Sequence, residues 1–241
     1  MNKAKQTLSI LVAALLVTAV IGVGALRRVD RWTQDWLFQR PGAPSGDIVI
    51  IGIDETAFDL FGPYNTWDRN IMASALEALA SDPDNLPSAV AVDVLYTGNT
   101  GQQADERLAE AARALGCVVT AAMAEFGERV TWEDGRATAL EAGAVLGCER
   151  PYEALREGTT QGHINAMVDS DGVLRHALLS VDVEGETLYS MAFQAARLHL
   201  EKRGEVLKAP SVNAANHFYV PYTGLPGAYY DGVSIDRKSV V

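Results

Sequence analysis

Residues 48–95 read IVIIGIDETAFDLFGPYNTWDRNIMASALEALASDPDNLPSAVAVDVL, and this stretch decides the fold. Ile48-Val49-Ile50-Ile51-Gly52-Ile53 is a continuous β-branched apolar run, as in a strand covered on both faces. A loop carrying Gly62, Pro63 and Asn65 follows. Thr66 or Asp68 then caps a helix over residues 67–80, with Ile71, Met72, Ala75, Leu76 and Leu79 as its buried stripe. Ser81-Asp82-Pro83-Asp84-Asn85 stops that helix, and Ala89 to Leu95 is a second apolar strand. Strand, helix and strand at this spacing form a βαβ unit, which implies parallel pairing and a right-handed crossover.

Further along, Ala104, Leu108, Ala111, Ala112 and Leu115 recur at helical spacing, Gly116 closes that helix, and Cys117 to Ala122 is a third strand. Residues 124–160 show no clear period. Trp132-Glu133-Asp134-Gly135-Arg136 reads as a turn and Ala139 to Gly147 as small apolar chain, so a connection with short elements is expected. Order returns at Gly162-His163-Ile164-Asn165. A tight turn at Asp169-Ser170-Asp171-Gly172 leads into a strand over Val173 to Val183, and Glu184-Gly185-Glu186 turns the chain again. Leu188 to Lys202 reads as a helix, His217 to Tyr222 as a short last strand, and Asp231 onward trails off. The expected class is α/β: an N-terminal transmembrane helix followed by one mixed, largely parallel sheet domain with flanking helices.

Leu8 to Leu26 is free of charge and long enough, at about 1.5 Å per residue, to cross the hydrocarbon core of a bilayer. Lys3 and Lys5 precede it; Arg27, Arg28 and Arg31 follow. A cleaved signal peptide is the rival reading, but its apolar region is shorter and ends in small residues, whereas this run ends at Leu26-Arg27-Arg28. The balance favours an uncleaved anchor, with the membrane as a partner of Leu8–Leu26. The basic residues on its two sides nearly cancel, so charge does not orient it. Trp32, Trp36 and Phe38 form either an interfacial aromatic belt or part of the packing under the soluble domain. Pro41-Gly42-Ala43-Pro44-Ser45-Gly46 is a linker.

The 241 residues carry a formal charge of −11. Six basic and two acidic side chains fall in residues 1–40, leaving −15 for the rest. So acidic a body repels phosphate backbones and excludes a nucleic-acid partner. Two cysteines, Cys117 and Cys148, make neither a disulfide framework nor a structural zinc site. They could pair outside the cytoplasm, or Cys117 could be a buried free thiol.

Asp54 and Asp93 each end an apolar strand, so both carboxylates belong at the C-terminal edge of the sheet, where open α/β folds bind ligands. They could hold Mg²⁺ or share a proton, as in an anchored metal-dependent hydrolase. The signatures of such enzymes are missing: Asp93 is followed by Val-Leu-Tyr, and there is no GxxxxGK[ST], GxSxG, HExxH or strand-following GxGxxG. The favoured reading is that the two acids cap loops. Arg69 near a helix start opposes the helix dipole and needs a carboxylate partner; Asp54 is the expected one. Asp169-Ser170-Asp171-Gly172 lacks the later ligands of a calcium loop. His163, His176, His199 and His217 have no metal-ligand spacing.

Several segments together resemble the CHASE domain of type two, an extracytoplasmic sensor of bacterial signalling proteins. They are Asp35-Trp36-Leu37-Phe38, Ile48 to Asp54, Gly62 with Trp67-Asp68-Arg69, Ala89 to Val94 with Asp105 and Leu108, Gly162-His163-Ile164-Asn165 with Asp169, Asp171-Gly172-Val173-Leu174-Arg175, and Pro221-Tyr222-Thr223-Gly224. The family's W-P-W is reduced here to Tyr64-Asn65-Thr66-Trp67. The resemblance implies a cytoplasmic tip and transmembrane anchor over residues 1–28 and an extracytoplasmic sensor over 29–241, incomplete at its C-terminus, on the periplasmic side of the inner membrane. It also implies an output domain of histidine kinase, nucleotide cyclase or diguanylate cyclase type outside this chain. No catalytic residue, metal or cofactor is expected. Asp54, Trp67, Arg69, Asp93, Asn165, Asp171 and Arg175 are the candidate ligand-binding residues for an unknown small-molecule or protein signal, and a homodimer fits the signalling logic.

Overall fold

A computed structural model describes residues 3–22, 24–38, 42, 46–134, 136–222 and 231–235. The chain divides into two compact units, Met1–Ile48 with Val220–Asp231 and Val49–Tyr219 with Gly232–Val241.

The first unit contains α1 (Lys3–Gly22) and α2 (Ala25–Phe38). Twenty residues of α-helix extend about 30 Å, and the apolar span Lys5–Gly22 is wholly unburied. It is long and apolar enough to cross a membrane. The helix does not run through to Leu26 as the apolar run suggested. Gly24 sits at φ 68°, a left-handed conformation that ends helices and that glycine adopts without strain, and α2 restarts at Ala25. Trp32 and Trp36, one turn apart on α2, are exposed. The linker at Pro41–Gly46 lies mostly outside the described residues.

The second unit follows the order β1 (Val49–Gly52), α3 (Glu55–Phe61), α4 (Arg69–Leu79), β2 (Val90–Val92), α5 (Gln102–Leu115), β3 (Val118–Glu133) and β4 (Arg136–Glu149). It continues with α6 (Glu153–Glu157), β5 (Thr160–His163), β6 (Ala166–Met167), β7 (His176–Leu178), β8 (Ser180–Val183), β9 (Glu186–Tyr189), α7 (Met191–Lys202), β10 (His217–Tyr219) and β11 (Asp231–Ser234). The class is α/β with mixed pairing. At its centre β3 runs parallel to β2 on one side (Val90 opposite Val118) and to β5 on the other (Val119 opposite Thr160). The crossover β2–α5–β3 buries Leu108, Ala109 and Ala112 of α5 against Ala73 and Leu76 of α4, Val118 of β3 and Leu155 of α6.

Several expectations are corrected. β1 pairs with β11, the segment that read as trailing off, and not with β2. Adjacency of successive strands is only a tendency, and here a distant segment takes the place; Val49 and Ile50 are exposed, so β1 is not covered on both faces. Residues after Asp54 form α3 rather than a loop, because the Asp54 carboxylate accepts the Ala57 amide at 3.2 Å and supplies the N-cap. Asp68, not Thr66, caps α4. The stretch expected to be irregular is a long antiparallel hairpin, β3–β4, extending from Met123 opposite Glu149 out to Glu133 opposite Arg136. Three register shifts and a run of alanine and glycine hid its alternation. The single strand expected over Val173–Val183 is two, β7 and β8, and the helix expected from Leu188 begins at Met191, where Ser190 caps it. β10 ends at Tyr219, short of the expected Tyr222.

Candidate functional site

The helices α4 and α5 both begin at the edge of the sheet where β2 ends, and the chain between Val92 and Gln102 crosses between them. Arg69, in the first turn of α4, is buried there. Its Nη1 donates to Asp105 Oδ1 at 2.5 Å and its Nη2 to the carbonyls of Gly98 at 2.7 Å and Thr97 at 3.3 Å. Asp105, in the first turn of α5, accepts at its other oxygen from the Thr100 amide at 3.0 Å, while the Thr100 hydroxyl donates to Oδ1 at 3.1 Å. Two phenol rings face the guanidinium, Tyr152 at 4.3 Å and Tyr96 at 5.5 Å from its carbon. The Tyr152 hydroxyl donates to the Asp105 carbonyl at 2.6 Å. Arg69 and the expected Asp54 therefore do not form the pair assigned from the sequence: Arg69 belongs to Asp105, and Asp54 is the cap of α3, where it also accepts the Thr56 hydroxyl at 2.6 Å.

Burial alone would raise the Asp105 carboxyl. The Thr100 amide, the Arg69 charge and the hydrogen bonds from Arg69 and Thr100 outweigh it and hold the group below the usual carboxylate range. Burial pushes the Tyr152 phenol up to about 12 and raises Tyr96 further, with the Arg69 cation acting against the rise in both. The cluster is thus an ion pair held between two neutral phenols. It locks the loop Thr97–Gly101 to two helix starts.

Trp67 stands beside this cluster in sequence. Its indole N–H donates to the Gly62 carbonyl at 2.6 Å, and its ring meets Phe58, Phe61 and Tyr64 at centroid distances of 6.1, 5.4 and 5.3 Å. Phe58, Phe61 and Tyr64 are each more than a third exposed, so this aromatic group is a partly open surface on the α3–α4 connection. Asp93 follows β2 directly and is exposed. Because β1 and β2 belong to different sheets, the neighbouring-strand geometry on which a shared Asp54/Asp93 metal or proton site depended is not formed. Among the described residues no group of three or more His, Cys, Asp or Glu could hold a metal ion.

The second half of the candidate set sits elsewhere in the unit. Asn165 follows β5 and clasps Ala124 of β3: its Oδ1 accepts the Ala124 amide at 2.9 Å and its Nδ2 donates to the Ala124 carbonyl at 2.8 Å. Asp169 and Asp171 flank the expected turn, closed by the Gly172 amide on the Asp169 carbonyl at 2.8 Å. Both acids accept from buried Arg175, at 2.9 Å each. This explains the acids without a calcium ion. The His176 ring lies tilted against that of Tyr219, with centroids 4.1 Å apart, and near His217. Burial first, and then the neighbouring His176, lower the His217 imidazole, against the pull of Asp169.

Gly162 has a role visible only in three dimensions. A Cβ there would lie 2.4 Å from the Met191 Cα and 2.7 Å from its nitrogen, so the first residue of α7 rests directly on β5. Its neighbour His163 is buried. Cys117 and Cys148 are both free thiols. A cavity of about 540 Å³ lies away from all seven candidates, lined by Arg150, Arg156, Glu157, Gln161, Val183 and Glu186 among others. It is open to solvent, and its arginine Arg150 is already bonded to Gln161 and Glu186.

Reading the sequence missed Asp105 as the partner of Arg69 and missed both tyrosines. Its place in the first turn of an amphipathic helix and among the residues of the family resemblance were the signals available for Asp105; nothing local marks Tyr96 or Tyr152. The pairing of Asp169 and Asp171 with Arg175 was not assigned from the sequence either, although the Asp-x-Asp-Gly-x-x-Arg segment places all three within seven residues.

The CHASE2 domain family model matches residues 11–238. The chain therefore belongs to the CHASE2 domain family, an extracytoplasmic sensory domain family of signalling proteins. Comparison with curated proteins and with solved structures gives no match.

Proposed function

We propose that this CHASE2 chain is the membrane-anchored, extracytoplasmic sensor of a bacterial signal-transduction protein of histidine kinase, nucleotide cyclase or diguanylate cyclase type. The family match over residues 11–238 carries the reading, and the unburied apolar helix α1 supports it. In this reading α1 crosses the inner membrane with its N-terminus in the cytoplasm, and the residues after it lie in the periplasm.

The signal binds at the sheet edge after β2. Asp93 and the half-open aromatic group around Trp67 supply the contact surface, Asp54 shapes it through the start of α3, and Arg69 acts from below through its pair with Asp105. Asn165 clasps the end of β5 to β3, and Asp171 with Arg175 holds the turn between β6 and β7. A signal that favours one of two arrangements of the Thr97–Gly101 loop shifts their populations by its difference in affinity, and that shift is the message.

Reporter fusions test the topology: alkaline phosphatase joined after Tyr222 is active, and a cytoplasmic fluorescent protein joined there is dark. The reverse pattern, or recovery of the chain in soluble cytosol, overturns the reading. A thermal-shift screen of periplasmic metabolites on the full chain tests the site: a stabilising compound loses its effect in the Asp93→Ala and Trp67→Ala variants. A compound that stabilises wild type and both variants equally binds elsewhere.

A further inference from the structure

The hairpin β3–β4 does more than close the core. Because cross-strand partners share a face, its register sorts the outer ribbon into two sides. Phe126 opposite Val145, Glu128 opposite Ala142, Val130 opposite Leu140 and Trp132 opposite Ala137 lie on one face. Gly127 opposite Ala144, Arg129 opposite Glu141, Thr131 opposite Ala139 and Glu133 opposite Arg136 lie on the other. The three register shifts skip Leu146, Gly143 and Thr138 on β4, so the β4 residues that face Phe126, Glu128, Val130 and Trp132 change from odd to even numbers and back along the ribbon. Arg129 and Glu141 form an ion pair on the polar side.

At its base the apolar face is covered. Ala122, Ala124, Val145 and Cys148 pack with Val181, Val183 and Leu188 of the β8–β9 hairpin. Further out the same face is bare: Trp132 is 65% exposed, Leu140 63%, Val130 40% and Phe126 39%. A lone two-stranded ribbon is marginal in water, and a row of large apolar side chains on it needs cover.

We propose that this outer face is a self-association surface, covered by the same face of a second copy of the chain. The four large side chains and the alanines between them leave about 400–500 Å² per copy to be buried. Two such faces together approach the roughly 1,000 Å² at which specific interfaces begin. The side chains also complement one another. A two-fold axis along the ribbon lays β3 of one copy over β4 of the other at the same level, so that Trp132 covers the partner's Ala137, Glu128 the partner's Ala142 and Val130 the partner's Leu140. Trp132 then meets the small Ala137, Val130 and Leu140 pack apolar on apolar, Glu128 is the one carboxylate on this face and lies over the small Ala142, and the side that carries the Arg129–Glu141 pair points away. A lipid surface fits less well: residues 125–142 carry five acids against two arginines, and anionic headgroups repel such a ribbon.

Sedimentation equilibrium of the full chain in density-matched detergent tests this. Wild type and the polar-face variant Thr131→Ser are expected to dimerise equally. Trp132→Ser combined with Leu140→Ser weakens the dimer about tenfold or more. Ala137→Arg, at an exposed position with no cost to the fold of one copy, does the same by blocking the partner's Trp132. A monomeric wild type, or a dimer indifferent to both sets of substitutions, overturns the proposal. So does a monomeric wild type whose fluorescence shifts further to the blue on phosphatidylcholine vesicles than that of the Trp132→Ser variant, which would make the face a lipid contact.

Discussion

Arg69 and Asp105 lie 36 residues apart, yet their side chains meet at 2.5 Å with only 6% of each exposed. The pair joins the first turns of α4 and α5 and captures the loop between them through the Gly98 carbonyl and the Thr100 amide. Desolvating two charges is expensive, and the cost is offset only because nearly every donor and acceptor in the pair is used. Removing one partner leaves the other charge buried without compensation. Arg69→Met or Asp105→Leu alone is expected to lower unfolding free energy by about 3–5 kcal/mol, and the double variant by clearly less than the sum. Urea denaturation of the four proteins measures the coupling; additive losses would mean that the two side chains act independently.

How much of this was legible follows from the kind of contact involved. The helices α4 and α5 and the parallel strands β2 and β3 were readable because their patterns are local: 3.6-residue apolar stripes, caps and short apolar runs. The pairing of β1 with β11 was not, since a strand's neighbour is set by competition among distant segments. The hairpin β3–β4 escaped because alanines and glycines carry a weak strand signal, and its bulges shift the alternation three times. At the site, Arg175 with Asp169 and Asp171 was close to readable because all three lie within seven residues. Arg69 was correctly seen to need a carboxylate, but choosing Asp105 over Asp54 required the crossover geometry. The tyrosines that enclose the pair come from a loop and from the segment before α6, with no periodic signal at all.

Gly162 and Gly127 offer a matched comparison. A methyl group at either would meet an atom at 2.4 Å, but at Gly162 that atom is the Met191 Cα, and at Gly127 it is the tip of the Leu146 side chain. Backbone cannot step aside without lifting α7 off β5, whereas an exposed leucine can change rotamer. Gly162→Ala is expected to destabilise by about 2 kcal/mol or more, and Gly127→Ala by about 0.5 kcal/mol or less. Thermal melts of the two variants decide it, and equal losses would mean that α7 is not pressed on β5.

Asn165 uses both ends of its amide on one peptide unit, accepting from the Ala124 amide and donating to the Ala124 carbonyl. It stands where β5 ends and β3 leaves the central sheet for the hairpin, so it replaces the strand pairing that stops there. Asn165→Ala leaves two backbone groups without partners, at about 1–3 kcal/mol. Asn165→Asp keeps the acceptor but turns a second oxygen toward a carbonyl. It is expected to be as damaging as alanine above pH 5 and milder below, where the protonated acid can donate. Hydrogen exchange at the Ala124 amide reads the local effect; unchanged protection in both variants would show the clasp to be idle.

His163 is the residue through which the fold itself should respond to acid. Its ring is buried, and that burial lowers the imidazole to about 4, with the Leu179 backbone pulling weakly the other way. In the unfolded chain the same ring titrates near 6.5. Between these values the unfolded state binds the extra proton, so stability is complete above about pH 6.5 and falls as the pH drops toward 4. The lowered His217 acts in the same direction, whereas the lowered Asp105 carboxyl takes effect only at more acid pH. His163→Leu removes the larger contribution. The midpoint of thermal unfolding should therefore fall less between pH 7 and pH 4.5 in this variant than in wild type, by several degrees, at about 2–4 °C per kcal/mol for a domain of this size. Identical pH slopes in the two proteins would show that the ring is hydrated or already charged in the folded state.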